Sequence, residues 1–188
     1  MNPSSGGIRR NTIREAFRLL ANDGVLVYQF NRGVFVSEVT GADVRDIYRV
    51  RRLLEPGVVR SLERRDLMRL EPLQECVDQA RAAAAQGDWP TVGTANLHFH
   101  RAIVGLAASP RLDAYLHPLS AQIRLVFAVI DDPQMLYEPF VERNAELLAL
   151  LREGRFDEAA DYLEAYLSDS ERWLLAAFDE RDRQTRTA

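Results

Sequence analysis

The sequence contains no lysine: all 24 of its basic residues are arginine. Cys76 is the only cysteine. A lone thiol excludes an intrachain disulfide framework and any thiolate metal cluster. No apolar run approaches the roughly 18–20 residues that a membrane span needs. The opening Met-Asn-Pro-Ser-Ser-Gly-Gly lacks the apolar core of a signal peptide. Together these absences place the expected protein in the cytoplasm, with no membrane partner. Phosphate loops, Glu-x-x-His di-metal patterns and nucleophile–base pairs are also missing, so nothing marks an enzyme.

What is present fits one large domain, or a medium domain with a small appendage: 188 residues, 47% hydrophobic and 28% charged. The net charge of -4 is unevenly spread. Residues 1–40 hold five arginines against three acids, whereas the remainder holds nineteen against twenty-five. A weakly basic beginning before an acidic body suits a nucleic-acid-binding end on an acidic partner domain.

Residues 1–8 are rich in Gly, Ser and Pro and read as flexible. From Asn11 the pattern becomes helical, with Ile13, Phe17 and Leu20 at i, i+4 and i+7, and Asp23-Gly24 ends the helix. Two short β-branched and aromatic runs follow, Val25–Tyr28 and Val34–Val36, around an Asn31-Arg32-Gly33 turn. That is a β-hairpin, and a helix before a small hairpin is the back half of a winged helix. Thr40-Gly-Ala-Asp43 then reads as a capped helix start. Helical periodicity predicts helices over 43–64, 69–86, 89–107, 110–130, 137–152 and 155–181, broken at Gly87-Asp88, Ser109-Pro110, Asp131-Asp132-Pro133 and Gly154. The predicted fold class is mostly α: a partial winged helix-turn-helix over 1–39, then an antiparallel bundle of six to seven helices over 40–182. Residues 183–188 are expected to form a flexible tail.

The segment 9–16 carries a physical logic for reading DNA. Arg10 and Arg14 lie one helical turn apart, opposite Ile13 and Phe17. Asn11 and Thr12 place short hydrogen-bonding side chains at a helix N-terminus, whose dipole attracts phosphate. Arg, Asn and Thr are types that read base edges from a helix in the major groove, and Arg32 at the hairpin tip would reach a minor groove or a phosphate. The plainer alternative is a solvated charged helix face.

The order Gly-Ile-Arg-Arg-Asn-Thr-Ile-Arg-Glu-Ala-Phe-Arg-Leu-Leu, then Asp-Gly-Val-Leu, then Asn-Arg-Gly-Val-Phe-Val resembles the recognition helix and wing of GntR-family regulators. The resemblance implies that Arg9, Arg10, Asn11, Thr12 and Arg14 contact operator DNA, with Arg32 and Gly33 at the wing. Residues 43–55, Asp-Val-Arg-Asp-Ile-Tyr-Arg-Val-Arg-Arg-Leu-Leu-Glu, look like the first helix of the FCD ligand-binding domain of the FadR-like branch. Phe99-His-Arg-Ala-Ile103 and Ala108-Ser-Pro-Arg-Leu112 match that domain's second signature. One departure matters: the family's first two helices, expected before residue 9, are absent. Either a longer chain supplies them or this product binds DNA poorly alone.

Several polar residues fall on stripes that should face the core. Ile47, Arg51, Leu54 and Val58 lie at i, i+4, i+7 and i+11, so Arg51 points inward, where an unpaired guanidinium is costly. Arg51 is therefore a receptor for a ligand carboxylate or half of an internal ion pair, with Glu55 one turn on. Asn96 and His100 share a stripe with Ile103 and Ala107. Asn144 lies with Leu147, Leu148 and Leu151, and Tyr166 lies between Tyr162 and Trp173. The FCD resemblance implies an Asp and three His at the positions of Asn96, His100, Asn144 and Tyr166, holding a divalent metal. Only His100 retains a family-type ligand, and Asn and neutral Tyr are poor donors for such ions, so no metal and no other cofactor is expected. His98, about 200° around the helix from His100, cannot join it, and His117 is similarly isolated.

Asn96, His100, Asn144 and Tyr166 form either a satisfied polar network or, with Arg51, a metal-free effector pocket. Four polar residues on inward stripes of three or four helices exceed what core packing needs, so a pocket is expected. The function expected is a homodimeric, ligand-responsive transcription regulator, most simply a repressor, binding operator DNA and a small organic acid. The alternative is a stand-alone small-molecule-binding and dimerisation module without autonomous DNA binding.

Overall fold

The computed structural model describes residues 10–128, 130 and 132–187. A short head precedes a helical body. The head consists of α1 (Arg10–Asn22) and an antiparallel hairpin of β1 (Leu26–Gln29) and β2 (Gly33–Val36). Leu26 pairs with Val36 and Gln29 with Gly33. The turn between the strands requires positive φ at Asn31 (57°) and at Gly33 (102°), the two residue types that tolerate it best. Gly24 (φ 74°) likewise ends α1.

The body is a bundle of six α-helices: α2 (Gly41–Arg60), α3 (Glu71–Ala84), α4 (Trp89–Gly105), α5 (Pro110–Ala128), α6 (Pro133–Arg152) and α7 (Phe156–Thr187). A 3-10 turn, Arg64–Arg69, joins α2 to α3. The helix starts are chemically marked. Thr40 and Asp43 form a reciprocal capping box, with Thr40 N–H donating to Asp43 Oδ2 at 2.8 Å and Asp43 N–H to Thr40 Oγ1 at 3.4 Å. Asp88 accepts from Thr91 N–H, and Asp132 from Met135 N–H. Tyr48, Phe99, Leu73, Leu147 and Leu163 are among the fully buried side chains around which α2, α3, α4, α6 and α7 close.

Three boundaries differ from the sequence expectation by more than two residues. Helix α6 begins at Pro133 rather than residue 137, because Asp132 caps it and Pro133 occupies a position where no backbone N–H is needed. Helix α2 stops at Arg60, and the chain up to residue 64 leaves the helical path. Helix α7 runs on to Thr187, where a flexible tail from residue 183 was expected; residue 188 lies outside the described residues. Pro56, Pro118 and Pro139 sit inside helices that continue past them.

Two sets of contacts seat the head on the body. Gln122 on α5 donates to the Asp23 backbone carbonyl at 3.3 Å, and His117 Nε2 lies 3.9 Å from the Asp23 carboxylate. Gly24 is required by its φ, and a side chain there would push the end of Gln122 off the Asp23 carbonyl. The linker from Val36 to Gly41 bounds a cavity of about 520 Å³ with Leu125 of α5 and Phe178 of α7. Among the described residues no helix is long and apolar enough to cross a membrane.

Candidate functional site

Two adjacent polar clusters occupy the centre of the bundle. The first is charged and begins on α2, where Tyr48, Arg51 and Glu55 follow one another at helical spacing on the buried face. Arg51 Nε donates to Glu55 Oε1 at 2.7 Å, and the guanidinium lies 4.9 Å over the Tyr48 ring. From α4, His100 Nδ1 meets Glu55 Oε2 at 2.7 Å. Arg51, Glu55 and His100 are all buried, at 4%, 3% and 7% exposure. One carboxylate therefore holds a guanidinium on one oxygen and an imidazole on the other.

The protonation states follow from these neighbours. Burial alone would raise the Glu55 carboxyl, but Arg51 and His100 outweigh it and hold it down at about 2. Burial pulls His100 below its ordinary value, against the opposing pull of Glu55. His100 is thus neutral near pH 7. An ionised carboxylate only accepts, so its Nδ1 carries the proton donated to Glu55, which leaves Nε2 as an acceptor.

The second cluster is neutral. Asn144 Nδ2 on α6 donates to Asn96 Oδ1 on α4 at 2.8 Å. The Tyr166 hydroxyl on α7 lies 3.0 Å from Asn144 Oδ1 and 3.2 Å from Asn96 Oδ1. Burial raises Tyr166 well above its ordinary value, so it stays protonated as a donor. The Tyr166 and His100 rings lie 5.4 Å apart, joining the two clusters. Among the described residues no buried polar side-chain atom lacks a partner.

This donor set does not fit a divalent metal. Its two amides and its phenol are committed to one another, and its one carboxylate is committed to Arg51 and His100. A cation there would face one imidazole with its Nδ1 already engaged, and no free anionic oxygen. Among the described residues no group of three or more His, Cys, Asp or Glu is placed to hold a metal ion.

Arg51, Glu55, Asn96 and His100 line one side of a cavity whose other wall is α5, through Leu116, Ile123 and Phe127. Its volume is about 20 Å³, enough for one water molecule. Of the five residues expected at the effector pocket, Arg51, Asn96 and His100 line this cavity, whereas Asn144 and Tyr166 lie behind Asn96 in the neutral cluster and do not. The structure pairs Arg51 with Glu55 and draws His100 into that pair rather than into the Asn–Tyr group. Sequence reading did not find Tyr48 or the α5 wall. Tyr48 was visible in principle at three residues before Arg51; the α5 wall depends on how two helices cross. His98 is exposed.

In the head, Asn11, Thr12, Arg14, Arg32 and Gly33 are all exposed. Arg9 lies outside the described residues, and Arg10 enters only as the first residue of α1. Arg32 sits 5.7 Å from the Phe35 ring centre, at the hairpin tip. The apolar face of α1 is poorly covered, with Ile13, Phe17 and Leu20 each 40–42% exposed.

A helix and hairpin followed by six helices closed around a buried polar centre is the architecture of a known class of transcriptional regulators. The FCD domain model matches residues 46–169. A solved Rhodococcus sp. RHA1 protein assigned as a GntR transcriptional regulator is 36% identical, with a TM-score of 0.85 over 90% of this chain and 82% of that one. The uncharacterised HTH-type transcriptional regulator YdhC of Bacillus subtilis (strain 168) is 31% identical over 110 residues, 57% of this chain. The chain spans about half the length of that relative, 49%. Escherichia coli McbR/YncC shares the fold, with a TM-score of 0.72 at 23% identity over 89% of this chain and 81% of that one. The chain belongs to the GntR family of transcriptional regulators, in the group that carries an FCD domain. That is a family of regulators, not of enzymes.

Proposed function

We propose that the chain is a ligand-responsive regulator of the FadR-like branch. Its body, residues 40–182, binds a small organic acid, and its head, residues 1–39, contacts operator DNA through Arg9, Arg10, Asn11, Thr12, Arg14, Arg32 and Gly33. The observation that carries this reading is the buried Arg51–Glu55–His100 cluster against the α5 wall. Glu55 takes the Nε–H of Arg51, and Arg51 lines the cavity, where the outer part of its guanidinium would meet a ligand carboxylate. His100 and Asn96, on the cavity wall, supply orienting hydrogen bonds without a metal, and Asn144 and Tyr166 complete the effector site from behind by holding Asn96. Because the cavity holds only about 20 Å³, an acid enters only as α5 moves outward. Helix α5 also holds Asp23 of the head, so entry alters how the head is carried. The active unit is a homodimer, acting in the cytoplasm, and the simplest mode is repression.

The test joins binding to output. A thermal-shift screen of small organic acids on the full chain identifies a stabiliser, and gel shifts on DNA upstream of its own gene follow with and without it. We expect a retarded fragment that the acid releases, and at least about tenfold weaker acid binding in Arg51→Met. A fragment indifferent to every stabilising acid overturns the reading. The exposed Ile13, Phe17 and Leu20 favour a second reading, a small-molecule-binding and dimerisation module without autonomous DNA binding. Stabilisation by an acid with no retarded fragment selects it.

A further inference from the structure

Helices α6 and α7 leave an open groove of about 410 Å³ on their outer side, lined by Phe140, Arg143, Asp169, Ser170, Arg172 and Trp173 among others. That volume lies in the range of small-ligand sites, and the groove needs no helix to move. Its chemistry is specific. Trp173 is 42% exposed, an unusual position for so large an apolar surface, and stands edge-on to the buried Phe140 at 6.4 Å between ring centres. Beside it, Arg143 Nη2 meets Asp169 Oδ2 at 2.8 Å, and Arg172 meets the other Asp169 oxygen. Two guanidinia share one carboxylate, so the charged side chains that line the groove sum to a net positive charge next to a half-open indole. Glu146 stays outside the lining, on the Tyr162 hydroxyl.

We propose that this groove is a second small-molecule site, for a planar aromatic carboxylate. The ring would stack on Trp173, and the carboxylate would take the guanidinium capacity that Asp169 leaves unmatched. The groove is coupled to the bundle centre from behind. The Arg143 guanidinium lies 5.3 Å over the Tyr166 ring, Phe140 packs 5.7 Å from the same ring, and Ser170 Oγ donates to the Tyr166 carbonyl at 2.8 Å. Tyr166 in turn holds Asn96 and Asn144. A ligand that engages Arg143 therefore acts on the Tyr166 network through residues other than those that line the Arg51 cavity. This site stands independently of whether that cavity binds an acid.

The chain has two tryptophans, so Trp89→Phe leaves Trp173 as the sole indole reporter. Titration of this variant with benzoate should change its emission saturably. The neutral isostere benzyl alcohol should bind at least about tenfold more weakly, as expected for loss of a charge-assisted contact. Arg143→Met and Arg172→Met, each checked for an unchanged circular dichroism spectrum, should weaken benzoate by a similar factor. A linear, unsaturable response overturns the proposal, as does equal affinity for benzoate and benzyl alcohol or indifference to both arginine changes. It is equally overturned if Trp173 becomes shielded from acrylamide as protein concentration rises, for the groove is then an interface between copies of the chain.

Discussion

A guanidinium removed from water costs several kcal/mol unless it is paired, and at Arg51 the partner sits one helical turn away. Replacing Glu55 with Gln would leave Arg51 charged and deprive it of its counter-ion. Urea denaturation should then show a loss of about 3–5 kcal/mol, much of it recovered in the double variant Arg51→Met/Glu55→Gln, which removes both charges. Wild-type stability in E55Q would mean that the cluster is solvated after all. The neighbouring imidazole predicts a pH dependence. His100 has a folded pKa below its ordinary value, so between the two the unfolded chain binds more protons. Its contribution is therefore present above about pH 6.5 and is lost as pH falls toward the folded value. Melting temperature should drop between pH 7 and pH 5, and His100→Gln should flatten that drop; an unchanged slope would refute the assignment. At this scale the sequence was partly legible. Spacing alone turned Arg51 inward and offered Glu55 as its partner. The bond between Glu55 and His100 spans 45 residues and depends on how α2 crosses α4, which no local pattern encodes.

Among the six helices of the body, α5 is distinctive in how little of it is held. Of its 19 residues only Leu116, Ile123, Val126 and Phe127 are buried, and Pro118 deprives its interior of one backbone donor. Helix α4, two residues shorter, buries eight. Backbone amides of α5 should accordingly exchange with deuterium at least about tenfold faster than those of α4, and an acid that fills the Arg51 cavity should slow α5 more than any other helix. Equal protection in α4 and α5 would show that α5 is no easier to displace. Element starts with explicit caps were readable in the sequence, as at Thr40/Asp43 and Gly87-Asp88. The start of α6 was misread because Asp131-Asp132-Pro133 was taken wholly as a turn, although its last two residues are a cap and a first helical position. Charge and polarity concealed the end of α7, since a polar helix without an apolar stripe carries little periodic signal.

At the scale of the molecule, the division into a helix-and-hairpin head and a six-helix body was legible from periodicity and turn residues. The seating of one on the other was not, because it rests on Gln122 meeting a backbone carbonyl at Asp23 and on the space above Gly24. Helix α7 spans these parts without a break. Its 32 residues correspond to a rod of roughly 48 Å at 1.5 Å per residue. Tyr166 lies in the central polar network, whereas Phe178, twelve positions on and roughly 18 Å along the same axis, touches the cavity beneath the Val36–Gly41 linker. Leu175, between them, would meet a side chain placed at Gly41. A stiff rod pivoted near Tyr166 works as a lever: a tilt of about 5° would carry Phe178 sideways by roughly 1.6 Å over that arm. Displacements of that size matter between packed surfaces, so under the proposed function no soft hinge would be needed to carry a signal from the polar centre to the head.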